Sequence, residues 1–309
     1  MFSTSSLLLW SKCPEPNYKV FRSITWSNAL KIPEPFLEIR ATLLGDEYGT
    51  IALCAGYEGE AWRAKKLAGH ILQWLPFAAL SQESQNSFAM NNWEELISDA
   101  ATHVYNTKKT KRRGEIGEVI LHIACVTEFA TTPVLCKLIL KTSSNETVKG
   151  FDGIHVRLLP DDEYELWLGE SKFYQDPKSA IKEAVESVRD HIAPNFLDTE
   201  KAMIAGHVAA DVPKREELKK LFRKNTSSDE LLKRAVFPVL IAYNSETSAS
   251  FKEVSDDLSK ALEVEIKNLR DEFAGRLDGL RLRFQLIFVP MNDKAELVKC
   301  FDKKLEAFL

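Results

Sequence analysis

No apolar run in this chain of 309 residues approaches the roughly 20 consecutive apolar residues that a membrane-spanning helix requires. No membrane contact is therefore expected. Cysteine is scarce: Cys13, Cys54, Cys125, Cys136 and Cys300 are irregularly spaced and form no C-x-x-C pair. That pattern speaks against a disulfide framework and against a zinc cluster, and suits reduced thiols in a cytoplasm. An excess of positive charge is also missing. With 41 Lys and Arg against 45 Asp and Glu, the net charge is -4, so any contact with a polyanion has to come from a local patch. The short apolar stretch Leu7–Trp10 lacks a basic flank and a small-residue cleavage site, which reads against a signal peptide. Internal repeats and low-complexity tracts are absent. The expected setting is cytoplasmic.

What is present is an ordinary globular mix, 45% hydrophobic and 28% charged. The length suits two domains or one large elaborated one. Residues 1–100 read as a small N-terminal α+β module, for which partner binding is one open role. Pro14, Pro16, Pro33 and Pro35 break up its start. FLEIRATLL (36–44) and TIALCAGY (50–57) then read as two strands, and WRAKKLAGHILQWL (62–75) as a helix. Trp62, Trp74, His70 and Glu58 read as packing and surface residues.

Residues 101–309 open on a basic run, NTKKTKRRG, in which Lys108, Lys109, Lys111, Arg112 and Arg113 crowd together. Such a run is a solvated loop or a phosphate-contacting one. The second reading gains from its position, because it leads straight into the helix EIGEVILHIACV. There Ile116, Val119, Ile120 and Ile123 form the buried stripe, while Glu115, Glu118 and His122 share another. Strands are expected over 134–140, 148–157 and 163–173. Asp176-Pro177 then starts a helix, with Asp as N-cap and Pro at the first helical position. Residues 197–235 read as helical, with Lys214, Arg215, Lys219, Lys220, Arg223 and Lys224 clustered. AVFPVLIAYN (235–244) reads as a strand buried on both faces. A charged helix over about 250–275, a strand over 280–290 and a final helix complete the chain.

The chemistry concentrates in KGFDGIHVRLLPDDEYELWLGESKFY. Side chains alternate across a strand, so Glu170 and Lys172 point the same way as Tyr164, Leu166 and Leu168. Asp152 lies on the preceding strand, beside Gly153, whose missing side chain admits another group. Carboxylates converging at a sheet make a hard, oxygen-rich cation site suited to Mg²⁺ or Mn²⁺. Such a cation acidifies a water and clamps a phosphodiester. A lysine two residues after the second acid can offset charge growing on the phosphate. No His or Cys group with zinc spacing competes for this role.

Asp, a hairpin, then Glu-x-Lys, after a helix bearing an acid, resembles the PD-(D/E)xK nuclease superfamily. The motif stands here as Asp152, then Glu170-Ser171-Lys172, with Gly114-Glu115-Ile116-Gly117-Glu118 supplying the helical acid. RRGEIGE, KGFDGIHV and LGESKFY together resemble, more narrowly, the HamA family of nuclease subunits in Hachiman anti-phage defence. One departure is that Phe151, not proline, precedes Asp152. The resemblance covers about 100–309. It implies a restriction-endonuclease-like α/β fold, a mixed central sheet flanked by helices with an α-β-β-β-α-β core and C-terminal elaborations. It also implies a metal-dependent DNA endonuclease acting with a HamB-like helicase subunit.

On that reading Asp152 and Glu170 hold Mg²⁺ (or Mn²⁺), Glu118 or else Glu115 supports the site, and Lys172 serves the water and the transition state. The bland alternative for Glu170 and Lys172 is an exposed ion pair of little worth. Their apolar neighbours Leu166, Trp167, Leu168 and Phe173 argue for a covered strand, where unpaired charge is costly. For Glu115 and Glu118 the alternative is favourable contact with the helix dipole. A second function, a non-catalytic subunit that keeps the nuclease fold to dock on a helicase or on DNA, has no need of all three motif residues.

Overall fold

The apolar run AVFPVLIAYN places its strand where the periodicity puts it. Ala235–Asn244 is buried along nearly its whole length in the middle of a seven-stranded sheet. The computed structural model describes residues 31–44, 48–105, 113–140 and 150–309. Strands are β1 (Glu38–Leu43), β2 (Tyr48–Cys54), the two-residue pair β3 (Tyr57–Glu58) and β4 (Ala61–Trp62), β5 (Thr132–Cys136), β6 (Gly153–Leu158), β7 (Tyr164–Phe173), β8 (Ala235–Asn244) and β9 (Phe284–Met291). Helices are α1 (Ala64–Ala79), α2 (Gln82–Asn86), α3 (Trp93–Tyr105), α4 (Gly114–Phe129), α5 (Pro177–His191), α6 (Pro194–Ala205), α7 (Arg215–Leu221), α8 (Ser228–Arg234), α9 (Glu246–Ser250), α10 (Asp256–Arg276) and α11 (Lys294–Leu305). The large sheet runs β1-β2-β9-β8-β7-β6-β5. Its centre is parallel, from β2 through β9 and β8 to β7, and its two flanks are antiparallel. This is a mixed α/β fold.

Alternation along the strands sorts the core into two layers. Ile51, Leu53, Trp167, Phe173, Leu240, Ala242, Ile287 and Val289 pack with α1, α4 and α11 on one face. Leu166, Leu168, Val239, Ile241, Leu286 and Phe288 pack with α5 and α10 on the other. Helix α4 is apolar on nearly every side and is buried accordingly, as a helix hydrophobic all round must be. Its Gly117 lets it close on β7, where a Cβ would stand 3.2 Å from that of Phe173. The Asp176 cap forms as expected, its carboxylate accepting from the Ser179 N–H at 2.7 Å, with Pro177 at the first helical position.

Several expected boundaries shift for identifiable reasons. The strand expected over 134–140 ends at Cys136, because Cys136 and Gly153 form the last pair of the β5–β6 ladder. A 3-10 turn, Lys137–Leu140, follows. The helix expected over 250–275 starts later, at a cap where the Ser255 hydroxyl accepts from the Leu258 N–H at 3.2 Å. The strand expected over 280–290 begins at Phe284. The boundary expected at residue 100 falls inside α3, and the sheet runs across it. Strand β2 pairs in parallel with β9 from Tyr48↔Phe284 to Ala52↔Phe288, and α1 packs on α11. Among the described residues no helix is long and apolar enough to cross a membrane.

Candidate active site

Strands β6 and β7 part company at Gly153↔Gly169, the last pair of their ladder. Just beyond it the Asp152 N–H still donates to the Gly169 carbonyl at 2.8 Å. The Asp152 side chain then takes over where the backbone leaves off. Its Oδ2 accepts from the Ser171 N–H and the Ser171 hydroxyl, both at 2.8 Å. A carboxylate is thus pinned to the open end of a hairpin by a backbone N–H of the kind that ordinarily serves a sheet ladder and by the hydroxyl of the same residue. Its Oδ1 meets the Lys137 ammonium at 3.0 Å.

Glu170 and Lys172 project from the opposite edge of the gap, both toward α5. Glu170 Oε1 lies 2.8 Å from Lys172 Nζ, and Lys172 also donates to the Ser187 hydroxyl of α5 at 2.9 Å. Glu170 is 4% exposed. Its Oε2 lies 3.6 Å from His191 Nδ1 and accepts no hydrogen bond from any described residue. A buried carboxylate oxygen with no donor is costly, and it is an acceptor suited to a cation.

The electrostatics separate the two acids. Burial pushes the Asp152 carboxyl up, but the Lys137 ammonium and the bonds from Lys137 and Ser171 more than offset it and hold it below the ordinary range. Burial, reinforced by the charge of Asp152, pushes Glu170 up to about 7. Burial, then the nearby Lys137 ammonium, pulls His191 down to about 4, leaving its imidazole neutral. Burial pulls the Lys137 ammonium down, but Asp152, Glu118 and Glu170, in that order, raise it above its ordinary value. An ammonium therefore sits where the fields of three carboxylates meet. All-oxygen donors, an orphaned acceptor and converging negative field fit a hard divalent cation.

These groups line one cavity of about 1610 Å³. Glu118 is on its wall, with Gly114 of the same helix. Glu115 is buried and is not among the lining residues; its charge is felt by Asp302. The structure thus brings Asp152, Glu170, Lys172 and Glu118 together and leaves Glu115 aside.

The basic run fares differently. Lys108, Lys109, Lys111 and Arg112 lie outside the described residues. Arg113 is turned inward, 2% exposed, with its Nε 2.8 Å from Asp302. The expectation that Arg113 meets DNA backbone is corrected on that ground, since a side chain buried against a carboxylate is spent on packing. Besides Lys137 and Lys172, the lysines that line the cavity are Lys294, Lys299 and Lys303 of α11. Lys299 and Lys303 are exposed and stand one turn apart on one helix face.

Sequence reasoning missed Lys137, Ser171, His191 and Glu200. Ser171 sits inside the Glu-x-Lys motif as its x, and alternation places it on the face opposite Glu170. Lys137 and His191 carry no local signal, because only the tertiary fold brings them to Asp152 and Glu170. Glu200 of α6 underlies the loop before Asp152. Its Oε2 accepts from the Phe151 N–H at 3.4 Å, and a Cβ on Gly150, whose φ is +143°, would stand 2.7 Å from that oxygen.

Fold and cavity together define a mixed α/β protein with a buried acid–lysine cluster where β6 parts from β7 beside the parallel strands. A family model, HamA, matches residues 32–305, and the chain belongs to the HamA family, which is linked to Hachiman antiviral defence. No curated protein matches the chain.

Proposed function

We propose that this protein is a metal-dependent DNA endonuclease of restriction-endonuclease-like fold, acting as the effector of an anti-phage defence system beside a HamB-like helicase. The observation that carries the reading is the convergence of Asp152, Glu170 and Lys172 in one cavity, with Glu170 Oε2 buried and undonated. Membership of the HamA family supports the defence role.

Asp152 and Glu170 would hold Mg²⁺ or Mn²⁺, with Glu118 also lining the cavity. When bound, the ion supplies Lewis acidity at a phosphodiester. Lys172, fixed between Glu170 and Ser187, presents an ammonium to the charge that grows on the phosphate. Ser171 holds the Asp152 carboxylate in place, its N–H and its hydroxyl both donating to Oδ2. Lys299 and Lys303, which also line the cavity, are donors to DNA backbone, contacts that carry no sequence information. The resemblance to PD-(D/E)xK nucleases implies that hydrolysis would leave 5′-phosphate and 3′-hydroxyl ends.

Plasmid cleavage tests the reading, with the chain alone and with its helicase partner. Mg²⁺ and Mn²⁺ should support cutting, while Ca²⁺ binds but supports little of it, its looser geometry activating water less. Undiminished cutting in excess chelator would sink the metal mechanism. No cutting by either preparation in Mg²⁺ or Mn²⁺ would favour a docking subunit that merely keeps the fold.

A further inference from the structure

Behind the acidic cavity, on the other face of β6, lies a second cluster that the proposed nuclease chemistry does not use. His122 of α4, Cys136 at the end of β5 and His155 of β6 are all buried. Each offers one ligand atom, and these atoms lie within 4.8 Å of one another. Cys136 Sγ is 3.1 Å from His122 Nδ1. His155 Nδ1 is 2.9 Å from the Thr131 hydroxyl. The Nε2 atoms of both histidines are buried and meet no hydrogen-bond partner among the described residues. The two rings stand 5.2 Å apart, centroid to centroid.

We infer that His122, Cys136 and His155 form a binding site for a thiophilic d-block cation, Zn²⁺ foremost. Three observations carry this. The donor set is two imidazoles and one sulfur, which suits zinc and is wrong for Mg²⁺ or Ca²⁺. Bonds of ~2.0 Å to nitrogen and ~2.3 Å to sulfur place zinc ligands on the order of 3.5 Å apart, so a cluster already within 4.8 Å needs only a small closure. His155 has its Nδ1 held by a hydroxyl, which fixes the ring and leaves Nε2 as the donor, the outer-sphere arrangement usual for metal-bound histidine. The two buried Nε2 atoms without a partner among the described residues are open to a ligand.

The site has a structural consequence for the cavity. His122 is one helical turn beyond Glu118, Cys136 precedes Lys137, and His155 follows Asp152 by three residues. An ion bound there ties α4, β5 and β6 together directly beneath the residues that form the acidic wall. The irregular cysteine spacing concealed this cluster, because its three members come from three elements.

Metal analysis of the full-length protein, purified without chelator from zinc-supplemented cells, is expected to find about one zinc per chain. Protein produced in cobalt-supplemented medium should show the near-ultraviolet charge-transfer band of a thiolate bound to Co²⁺. Cys136→Ala should lose both the zinc and the band, whereas Asp152→Asn should keep both, which separates this site from the proposed Mg²⁺ site. Wild-type protein with neither bound zinc nor a thiolate–cobalt band overturns the inference, whatever the variants do. So does a Cys136→Ala protein that keeps its zinc. The wild-type spectrum decides the matter if Cys136→Ala fails to fold.

Discussion

Lys172 and Lys137 carry the same charge to the same cavity, yet their surroundings give them different tasks. Lys172 is oriented by Glu170 and Ser187, so on the proposed reading its loss removes a positioned cation from the reacting end. Lys172→Ala is expected to lower plasmid cleavage by at least ~10²-fold, as removal of one aligned electrostatic stabiliser does elsewhere, while circular dichroism stays unchanged. A variant that cuts at the wild-type rate would remove Lys172 from the reaction. Lys137 instead neutralises Asp152 and stands in the field of three acids. An ammonium there would compete with the proposed divalent ion for the same oxygens. Lys137→Met is therefore expected to tighten Mg²⁺ binding by roughly 10-fold, about 1.4 kcal/mol, read by calorimetric titration. Weaker binding in the variant would show that Lys137 helps build the site. The motif residues Asp152, Glu170 and Lys172 were legible in the sequence because alternation and spacing are local. Lys137 and His191 were not, because nothing near them in the chain reports their partners.

At the scale of elements, the hairpin and the helix beneath it explain why a strand devotes core positions to charge. The β6–β7 ladder ends at Gly153↔Gly169, and the acids occupy the rim thus exposed. The loop leading into Asp152 rests on Glu200 of α6, whose carboxyl burial pushes up to about 7. A folded-state value above the unfolded one, roughly 4.3, means that the folded chain holds this proton more tightly. Its stabilising contribution is full below about pH 4, and it is lost as pH rises through about 7. Glu200→Gln mimics the neutral form and should escape that loss. Between pH 5 and pH 8 the variant should therefore gain on the wild type, by roughly 1–3 kcal/mol, in urea unfolding followed at both values. Parallel behaviour would show that Glu200 is not held protonated. Strands β7 and β8 were legible almost to the residue, one by alternation and the other as a continuous apolar run. The junction at Cys136–Lys137 was not, because VLCKLIL is apolar enough to read as strand throughout, and only the end of pairing with β6 stops it.

At the scale of the whole molecule, the N-terminal part raises the question of separability. Two strands and a helix within residues 1–100 read as a module of their own, since their periodicity is complete. Periodicity says nothing about which edge a strand joins, and here β2 completes the parallel centre by pairing with β9. Removing residues 1–100 would bare one edge of β9 and the face of α11 that covers α1. The remaining 101–309 is expected to aggregate or to unfold without a cooperative transition in calorimetry, whereas the intact chain unfolds in one. A truncated chain that melts cooperatively near the intact temperature would show that the two parts are separable after all. The account as a whole stands on a divalent ion held between Asp152 and Glu170. A crystal soaked in Mn²⁺, with anomalous diffraction recorded above the manganese edge, tests that most directly. The account predicts an anomalous peak within ~2.0–2.4 Å of an oxygen of Asp152 and of Glu170, absent from Glu170→Ala. A fully occupied peak elsewhere in the cavity, or none in crystals whose Glu170 is ionised, would contradict it.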